Sequence, residues 1–195
     1  EEPGDSASVN RYTRAAAAYR DWLSEGVLRR DDEEGIYLTV QEFGAKTSEG
    51  PVRKSRMGIV ALVRIEAFGE GAIHPHEHTM PGPKADRLEL MRHTEAAFGQ
   101  IFSLYSDPED VLGRLLERHT ARSPLFEFDD LEGVRHRFWR VADVETIDQV
   151  SAFLSDRPLF IADGHHRYET AVVYRDERAS AEGSGPGVKP HGYRM

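Results

Sequence analysis

The sequence predicts an α+β fold, with a mixed sheet and flanking helices, on three observations. Strand-like and helix-like stretches follow one another in a mixed order rather than in strict alternation. Two strand-like runs near the start of the chain are separated by a polar turn, which makes them a hairpin candidate. A short apolar run at 159–162 passes through Gly164 into a helix-like stretch, which indicates a strand–turn–helix unit.

The helices are predicted from apolar residues spaced three or four positions apart. The first covers residues 9–23 and ends before Gly26, a residue type that commonly terminates helices. The second covers residues 86–98, with Asp86 as a candidate N-cap. Three more are predicted at residues 108–119, 144–154 and 167–182.

The strands are predicted where apolar runs are bounded by polar turns. The run 36–43 is expected to pair across the turn 44–50 with the run 56–68. Both faces of the second run carry apolar residues, so it is expected to be an inner strand. Shorter strands are predicted at residues 101–105, 125–128, 134–141 and 159–162. A set of aromatic residues is assigned to core packing: Tyr12, Trp22, Phe126, Phe128, Phe138 and Trp139.

Composition limits the class of protein. The absence of cysteine excludes disulfides, thiolate metal sites and cysteine catalysis, and it is compatible with the expected cytoplasmic location. No apolar run approaches the length of a membrane span, so no membrane partner is expected. The net charge of −9 argues against a nucleic-acid partner, and the sequence leaves the oligomeric state open. One domain is expected over residues 1–182, with a linker and the start of a further strand at 183–195, in a fragment of a longer protein.

Polar side chains concentrate after the run 159–162, in the sequence Asp163-Gly164-His165-His166-Arg167. A helix N-terminus there favours an anion such as phosphate, for which Gly164 offers flexible backbone and Arg167 a bidentate donor. Asp163 could bind Mg²⁺ or act as a base, and either histidine could transfer a proton. In the alternative interpretation, Asp163 caps the helix and Arg167 forms an ordinary salt bridge.

A second polar segment covers residues 69–87 and is kept mostly irregular by proline and glycine. If it is extended, three histidines could project to one side and hold Zn²⁺ or Fe²⁺: His74, His76 and His78. The preferred interpretation makes His76 and Glu77 acid–base groups, with negative charge stabilised nearby by Lys84 and Arg87. A surface loop without function is the remaining alternative.

The sequence Phe160-Ile-Ala-Asp-Gly-His-His-Arg-Tyr-Glu-Thr-Ala171 resembles the signature of a widespread family catalogued as domain of unknown function 1015. Further blocks agree with that family around His76-Glu77-x-Thr79, at 101–105 and at 134–141, so the similarity covers nearly the whole chain. The usual beginning and C-terminal part of the family are absent here. Any site that those parts complete is therefore expected to be incomplete.

The turn is also similar, more distantly, to the Gly-x-x-Arg turn of ParB/sulfiredoxin-like proteins, which include partition proteins, sulfiredoxin and a free-serine kinase. That resemblance implies a ParB/sulfiredoxin-like core and nucleotide phosphates bound by the residues Gly164 to Arg167. It further implies phosphoryl transfer with ATP or ADP and Mg²⁺ to a small hydroxyl compound, with Glu77 or Asp163 as the base. The candidate catalytic residues are Asp163, His165, His166, Glu77 and His76.

Two alternative functions remain open. The first is a nucleotide-gated regulatory or DNA-associated module of the kind that partition proteins represent. The second is a metal-dependent hydrolase that uses the histidines of the 74–78 segment.

Overall fold

The computed structural model describes residues 4–77 and 81–181, with the backbone alone at 81–83. In chain order the elements are α1 (Arg11–Ser24), β1 (Ile36–Thr47), β2 (Gly50–Val60), β3 (Ile73–His74), α2 (Pro81–Thr94), β4 (Phe102–Leu104), α3 (Val111–Thr120), β5 (Phe126–Asp129), β6 (Arg135–Val141), α4 (Val144–Ser155), β7 (Leu159–Asp163) and α5 (His165–Ala181). Helices and strands of both pairing senses are present, which confirms the α+β class. None of the helices in this part of the chain is both long enough and apolar enough to cross a bilayer.

The chain divides into two compact units, and each is described by itself. The first contains Glu1–Arg30, Val63–Tyr105 and Pro158–Met195, and the second contains Asp31–Leu62 and Ser106–Arg157. The expected single domain over 1–182 stays a prediction, and the linker expected at 183–195 lies outside the described residues.

The first unit is built around β7. This strand lies in the middle of a three-stranded sheet, parallel to β3 and antiparallel to β4. Ile161 of β7 is 1% exposed and packs in one cluster with Ile73 and Tyr168. Tyr168 stacks on Phe68 at 5.1 Å, and its hydroxyl donates to the carbonyl of Glu66 at 2.8 Å. These contacts fix the start of α5 against the end of β7.

Helix α1 belongs to the same unit, and residues at both of its ends explain why the sequence forms a helix here. The Asn10 side chain accepts hydrogen bonds from the backbone N–H groups of Tyr12 and Thr13, and the Thr13 hydroxyl accepts from the Asn10 backbone in return. This capping box satisfies donors that a helix start otherwise leaves free. Gly26 follows the helix with φ of +74°, as a terminating glycine does. The helix predicted at 9–23 is confirmed, but it begins at Arg11 and ends at Ser24.

The second unit is a four-stranded antiparallel sheet in the order β2-β1-β6-β5. Leu38 and Val141 are 0% and 1% exposed on the covered face, and helix α3 buries Leu112 and Leu116 completely. The Trp139 indole N–H donates to the carbonyl of Arg122 at 2.8 Å, which ties the segment after α3 to the sheet.

Several predicted boundaries are wrong. Strand β2 begins at Gly50 and ends at Val60, and among the described residues it pairs with β1 alone, so it is an edge strand there rather than an inner one. Helix α2 begins at Pro81, where proline is favoured in the first turn, so Asp86 lies inside the helix and is not its cap. The Asp86 carboxylate instead accepts from the Tyr12 hydroxyl at 2.9 Å. Helix α5 begins at His165, two residues earlier than predicted.

The assignment of all the aromatic residues to the core is also wrong in part. Trp139 is 4% exposed, as core packing requires, but Phe126 and Phe128 are each 48% exposed and Trp22 is 46% exposed. Phe126 lies on the edge strand β5 and stacks on Phe138 of β6 at 4.7 Å. Strand-like alternation could not reveal that these aromatic residues stay half exposed.

Candidate functional site

The turn between β7 and α5 requires a glycine. Gly164 has a φ of +97°, a backbone conformation that other residues seldom adopt. A Cβ atom on Gly164 would lie 2.8 Å from Nη2 of Arg167, closer than such atoms approach. The strand therefore enters the helix through a sharp turn over which the Arg167 guanidinium is folded.

Helix α5 begins at this turn with backbone donors that have no partner within the helix. The N–H groups of His165, His166 and Arg167 stand in the first turn and have no acceptor within the helix. The first backbone bond runs from the N–H of Tyr168 to the carbonyl of Gly164, at 2.9 Å. These free donors and the helix dipole give the turn a partial positive charge.

Arg167 is engaged with Asp163. Its Nη2 lies 2.5 Å from Asp163 Oδ2, while its buried Nε has no hydrogen-bond partner. The salt-bridge alternative is therefore present in the structure, but Asp163 precedes the cap position, which Gly164 occupies. Asp163 is 73% exposed and Arg167 37% exposed, and pairs of this kind contribute about 0–1 kcal/mol. An anion with better geometry can compete for the guanidinium at little cost.

Three predicted site residues meet beside this turn: His76, Glu77 and His165. His165 is 1% exposed, and its Nε2 accepts a hydrogen bond from the backbone N–H of His76 at 3.2 Å. Its Nδ1 lies 3.1 Å from Glu77 Oε1, although the angle is not that of a hydrogen bond, and a small rotation of the exposed Glu77 side chain would align the two. The His76 and His165 rings meet edge to face at 4.5 Å.

The hydrogen bonds assign the protons on both rings. Because the backbone N–H of His76 is a donor, Nε2 of His165 must be an acceptor, so neutral His165 carries its proton on Nδ1, facing Glu77. Nδ1 of His76 lies 2.6 Å from the carbonyl oxygen of Ile161, which only accepts, so His76 is also protonated on Nδ1. Nε2 of His76 therefore carries a free lone pair.

The same three side chains could hold a metal ion, since one ligand atom from each lies within 4.8 Å of the others. Ligation through Nδ1 of His165 would require its proton to move to Nε2, where it would face the His76 N–H donor. The proton arrangement therefore favours an acid–base cluster over a metal centre. The three-histidine site stays a prediction, because His78 lies outside the described residues. His74 stacks on Phe160 at 5.3 Å.

The remaining predicted residues lie further along α2 and α5. Lys84 forms an ion pair with Glu169, one turn beyond the start of α5. Arg87 is exposed and has no ion pair within the described ranges. His166 has a buried Nδ1 without a hydrogen-bond partner, and its carbonyl accepts from the Thr170 hydroxyl at 2.7 Å.

Three contributors to the site had no role in the sequence interpretation. The carbonyl of Ile161 orients His76, Glu169 holds Lys84, and Gly99 leaves room for Arg167, whose Cδ would lie 3.3 Å from an added Cβ. Of these three, only Glu169 could have been found from the sequence, because it lies within the family signature at 160–171. A backbone carbonyl and a glycine at long range have no local pattern.

Comparison with known proteins gives a family match. Curated proteins and solved structures yielded none. The model of a family described as "Protein of unknown function (DUF1015)" matches residues 1–195. The match covers the whole chain, including the segment of His76 and Glu77 and the turn 163–167. The chain therefore belongs to this family of proteins of unknown function.

Proposed function

We propose that the protein is a nucleotide-dependent phosphotransferase, which binds nucleotide phosphates at the start of α5 and phosphorylates a hydroxyl group of a small molecule. The observation that carries the proposal is the proton arrangement of His76. Its Nε2 lone pair stands beside a helix N-terminus with free N–H donors, so a base and an anion site occur together.

Phosphate recognition would use the backbone first. The free N–H groups of His165 to Arg167 can donate to phosphate oxygens, and Gly164 lets an oxygen approach the backbone closely. Arg167 would exchange Asp163 for a phosphate and add two charge-assisted hydrogen bonds. Since the existing pair is exposed and weak, this exchange favours the phosphate.

Proton transfer would use His76. In phosphoryl transfer, the acceptor hydroxyl attacks the γ-phosphorus of ATP, its proton passes to Nε2 of His76, and the bond to the ADP oxygen breaks. The carbonyl of Ile161 stabilises the imidazolium formed, because it continues to accept from Nδ1–H. His165 would position this ring, because its Nε2 accepts from the backbone N–H of His76. The Glu77 carboxylate lies beside Nδ1 of His165 and would hold that second ring in place. Lys84 and Arg87 remain proposed contributors of positive charge.

Mg²⁺ would neutralise charge on the nucleotide phosphates, as it does in this class of reaction. Asp163 is the carboxylate on the turn and belongs to no group of three ligating side chains among the described residues. A single carboxylate suits Mg²⁺, which usually keeps several waters and takes phosphate oxygens as further ligands. The residues therefore fit a Mg²⁺ ion that is bound mainly by the nucleotide phosphates, and not one that is held by protein ligands alone.

We also propose that β7, the Gly164 turn and α5 form a ParB/sulfiredoxin-like core. The mixed sheet around β7 and the glycine turn into a helix support this proposal. A regulatory or DNA-associated module is expected to bind the nucleotide without turning it over. Nucleotide turnover therefore distinguishes the phosphotransferase from such a module.

The test is nucleotide binding and turnover, by calorimetry with ATP or ADP and by phosphorus NMR with pooled hydroxyl compounds. Arg167→Ala should weaken binding by about tenfold or more, as loss of a charge-assisted hydrogen bond does. Arg178→Ala is the matched control, since Arg178 lies near the other end of α5 and pairs with Glu95. The proposal would be refuted if the full-length protein bound neither ATP nor ADP, or if Arg167→Ala and Arg178→Ala bound the nucleotide with equal affinity.

A further inference from the structure

A cavity of about 200 Å³ lies in the second unit, where the end of α3 meets β6. At roughly 30 Å³ per water molecule, it has room for about six or seven waters and so suits a small ligand. Its lining combines four polar side chains with an apolar wall: His119, Arg122, Ser123 and Arg140, with Leu125 and Trp139. No carboxylate lines it, although the protein as a whole carries a charge of −9.

Arg122 has no partner for its charge among the residues that the structure describes. Its guanidinium makes no hydrogen bond or ion pair with any residue in the described ranges. Its backbone is nevertheless held in place, because its carbonyl accepts from the Trp139 indole at 2.8 Å. The backbone of Arg122 is therefore held beside the cavity, while its side chain is left available.

His119 offers a second donor. It is 6% exposed, and its Nε2 accepts a hydrogen bond from Nε of Arg118 at 3.2 Å, so the neutral ring carries its proton on Nδ1. No acceptor for that Nδ1–H occurs among the residues the structure describes. By contrast, His93, also near a helix end, has its Nδ1 2.8 Å from the carbonyl oxygen of Glu89.

The surroundings of His119 are positive. Burial lowers the pKa of His119, and the charges of Arg118 and Arg122 lower it further, against a smaller opposing effect of Asp143. Arg118 is committed to Asp143 at 3.0 Å and to the Thr146 hydroxyl at 2.5 Å. Arg140 donates to the carbonyl of Glu33 at 2.7 Å, and its charge is balanced by Asp31 and Glu33, whose carboxylates lie 3.6 Å and 3.5 Å from its guanidinium nitrogens. Arg122 is therefore the arginine of the cavity that has a charge to offer.

We infer that this cavity binds a small oxyanion, a carboxylate or phosphate group on a metabolite-sized molecule, through Arg122, His119 and Ser123. Every polar side chain lining it can donate, two of them are guanidiniums, and none is a carboxylate. The apolar body of such a ligand would pack on Leu125 and Trp139. The inference concerns the second unit alone and does not depend on the proposed phosphotransferase.

The test follows the His119 ring by NMR while inorganic phosphate, and separately acetate, is added at constant ionic strength set with chloride. Phosphate or acetate should shift the ring signals saturably and raise the pKa of His119, because a bound negative charge offsets Arg118 and Arg122. Arg122→Gln should weaken the response about tenfold or more. Arg114→Gln, an exposed arginine on α3 outside the cavity, is the control and should leave it unchanged.

Circular dichroism of each variant confirms that the fold is retained before binding is compared. Saturation by either anion with loss only in Arg122→Gln supports the inference and identifies the preferred group. A response to neither anion at tens of millimolar, or an equal response in all three proteins, would overturn it.

Discussion

Replacement of Gly164 by alanine tests the turn that joins β7 to α5. At a φ of +97°, an alanine is strained by about 1–3 kcal/mol, partly offset by about 0.4–1 kcal/mol from the stiffer unfolded chain. Its Cβ would also lie 2.8 Å from Nη2 and 3.1 Å from Nε of Arg167, so the guanidinium must leave its place. We expect a net loss of about 1–2 kcal/mol and a melting temperature lower by about 2–8 °C for a chain of this length.

Two further alanine variants separate strain from contact. Gly26 has a φ of +74° and open space around its Cβ position, so Gly26→Ala carries strain alone. An added Cβ at Gly99 would lie 3.3 Å from Cδ of Arg167, so Gly99→Ala carries the contact without a positive φ. Urea unfolding gives the stabilities, and calorimetry with ADP gives the affinities.

We expect Gly164→Ala to lose both stability and affinity, Gly26→Ala to lose stability only, and Gly99→Ala to lose affinity mainly. If Gly164→Ala unfolds and binds as Gly26→Ala does, the position of Arg167 over the glycine is irrelevant to the site, and the reasoning is refuted.

Three other predictions concern packing and pH. Leu116→Ala should lower the free energy of unfolding by about 2–5 kcal/mol in urea titrations, because Leu116 is 0% exposed; a loss below 1 kcal/mol would contradict its core position. Tyr168→Phe should cost about 1–3 kcal/mol in the same assay, since the backbone of Glu66 loses its partner; unchanged stability would refute that anchor. The lowered pKa of His119 means that the unfolded chain takes up a proton first as pH falls below about 6.5. Stability should therefore fall as the pH is lowered from 7 to 5, and melting curves of His119→Gln at several pH values should show a weaker pH dependence. An equal pH dependence of stability in both proteins would show that another group is responsible.

The strand–turn–helix unit at 159–181 was predictable because its signals are local. An apolar run, a glycine and a helical spacing follow one another directly in the sequence. The meeting of His76 with His165 was not predictable in its geometry, since 89 positions separate the two residues. The long-range packing of Ile161 and the backbone of His76 decide which nitrogen of each ring carries a proton.

The second unit shows the same division between local and long-range information. The hairpin β1–β2 was predictable from its polar turn, but the edge position of β2 was not, since pairing partners have no local pattern. Apolar residues on both faces of β2 suggested an inner strand, yet within the described ranges only β1 pairs with it. Phe126 and Phe128 likewise alternate as core residues do and remain half exposed on β5.

The most direct test of the phosphate site is a backbone amide NMR titration of the chain with ADP and Mg²⁺. We expect saturable shifts concentrated on the amides of His165, His166 and Arg167, whose N–H groups have no acceptor within α5. Shifts confined to other segments, or none at millimolar ADP, would contradict the claim that this turn binds nucleotide phosphates.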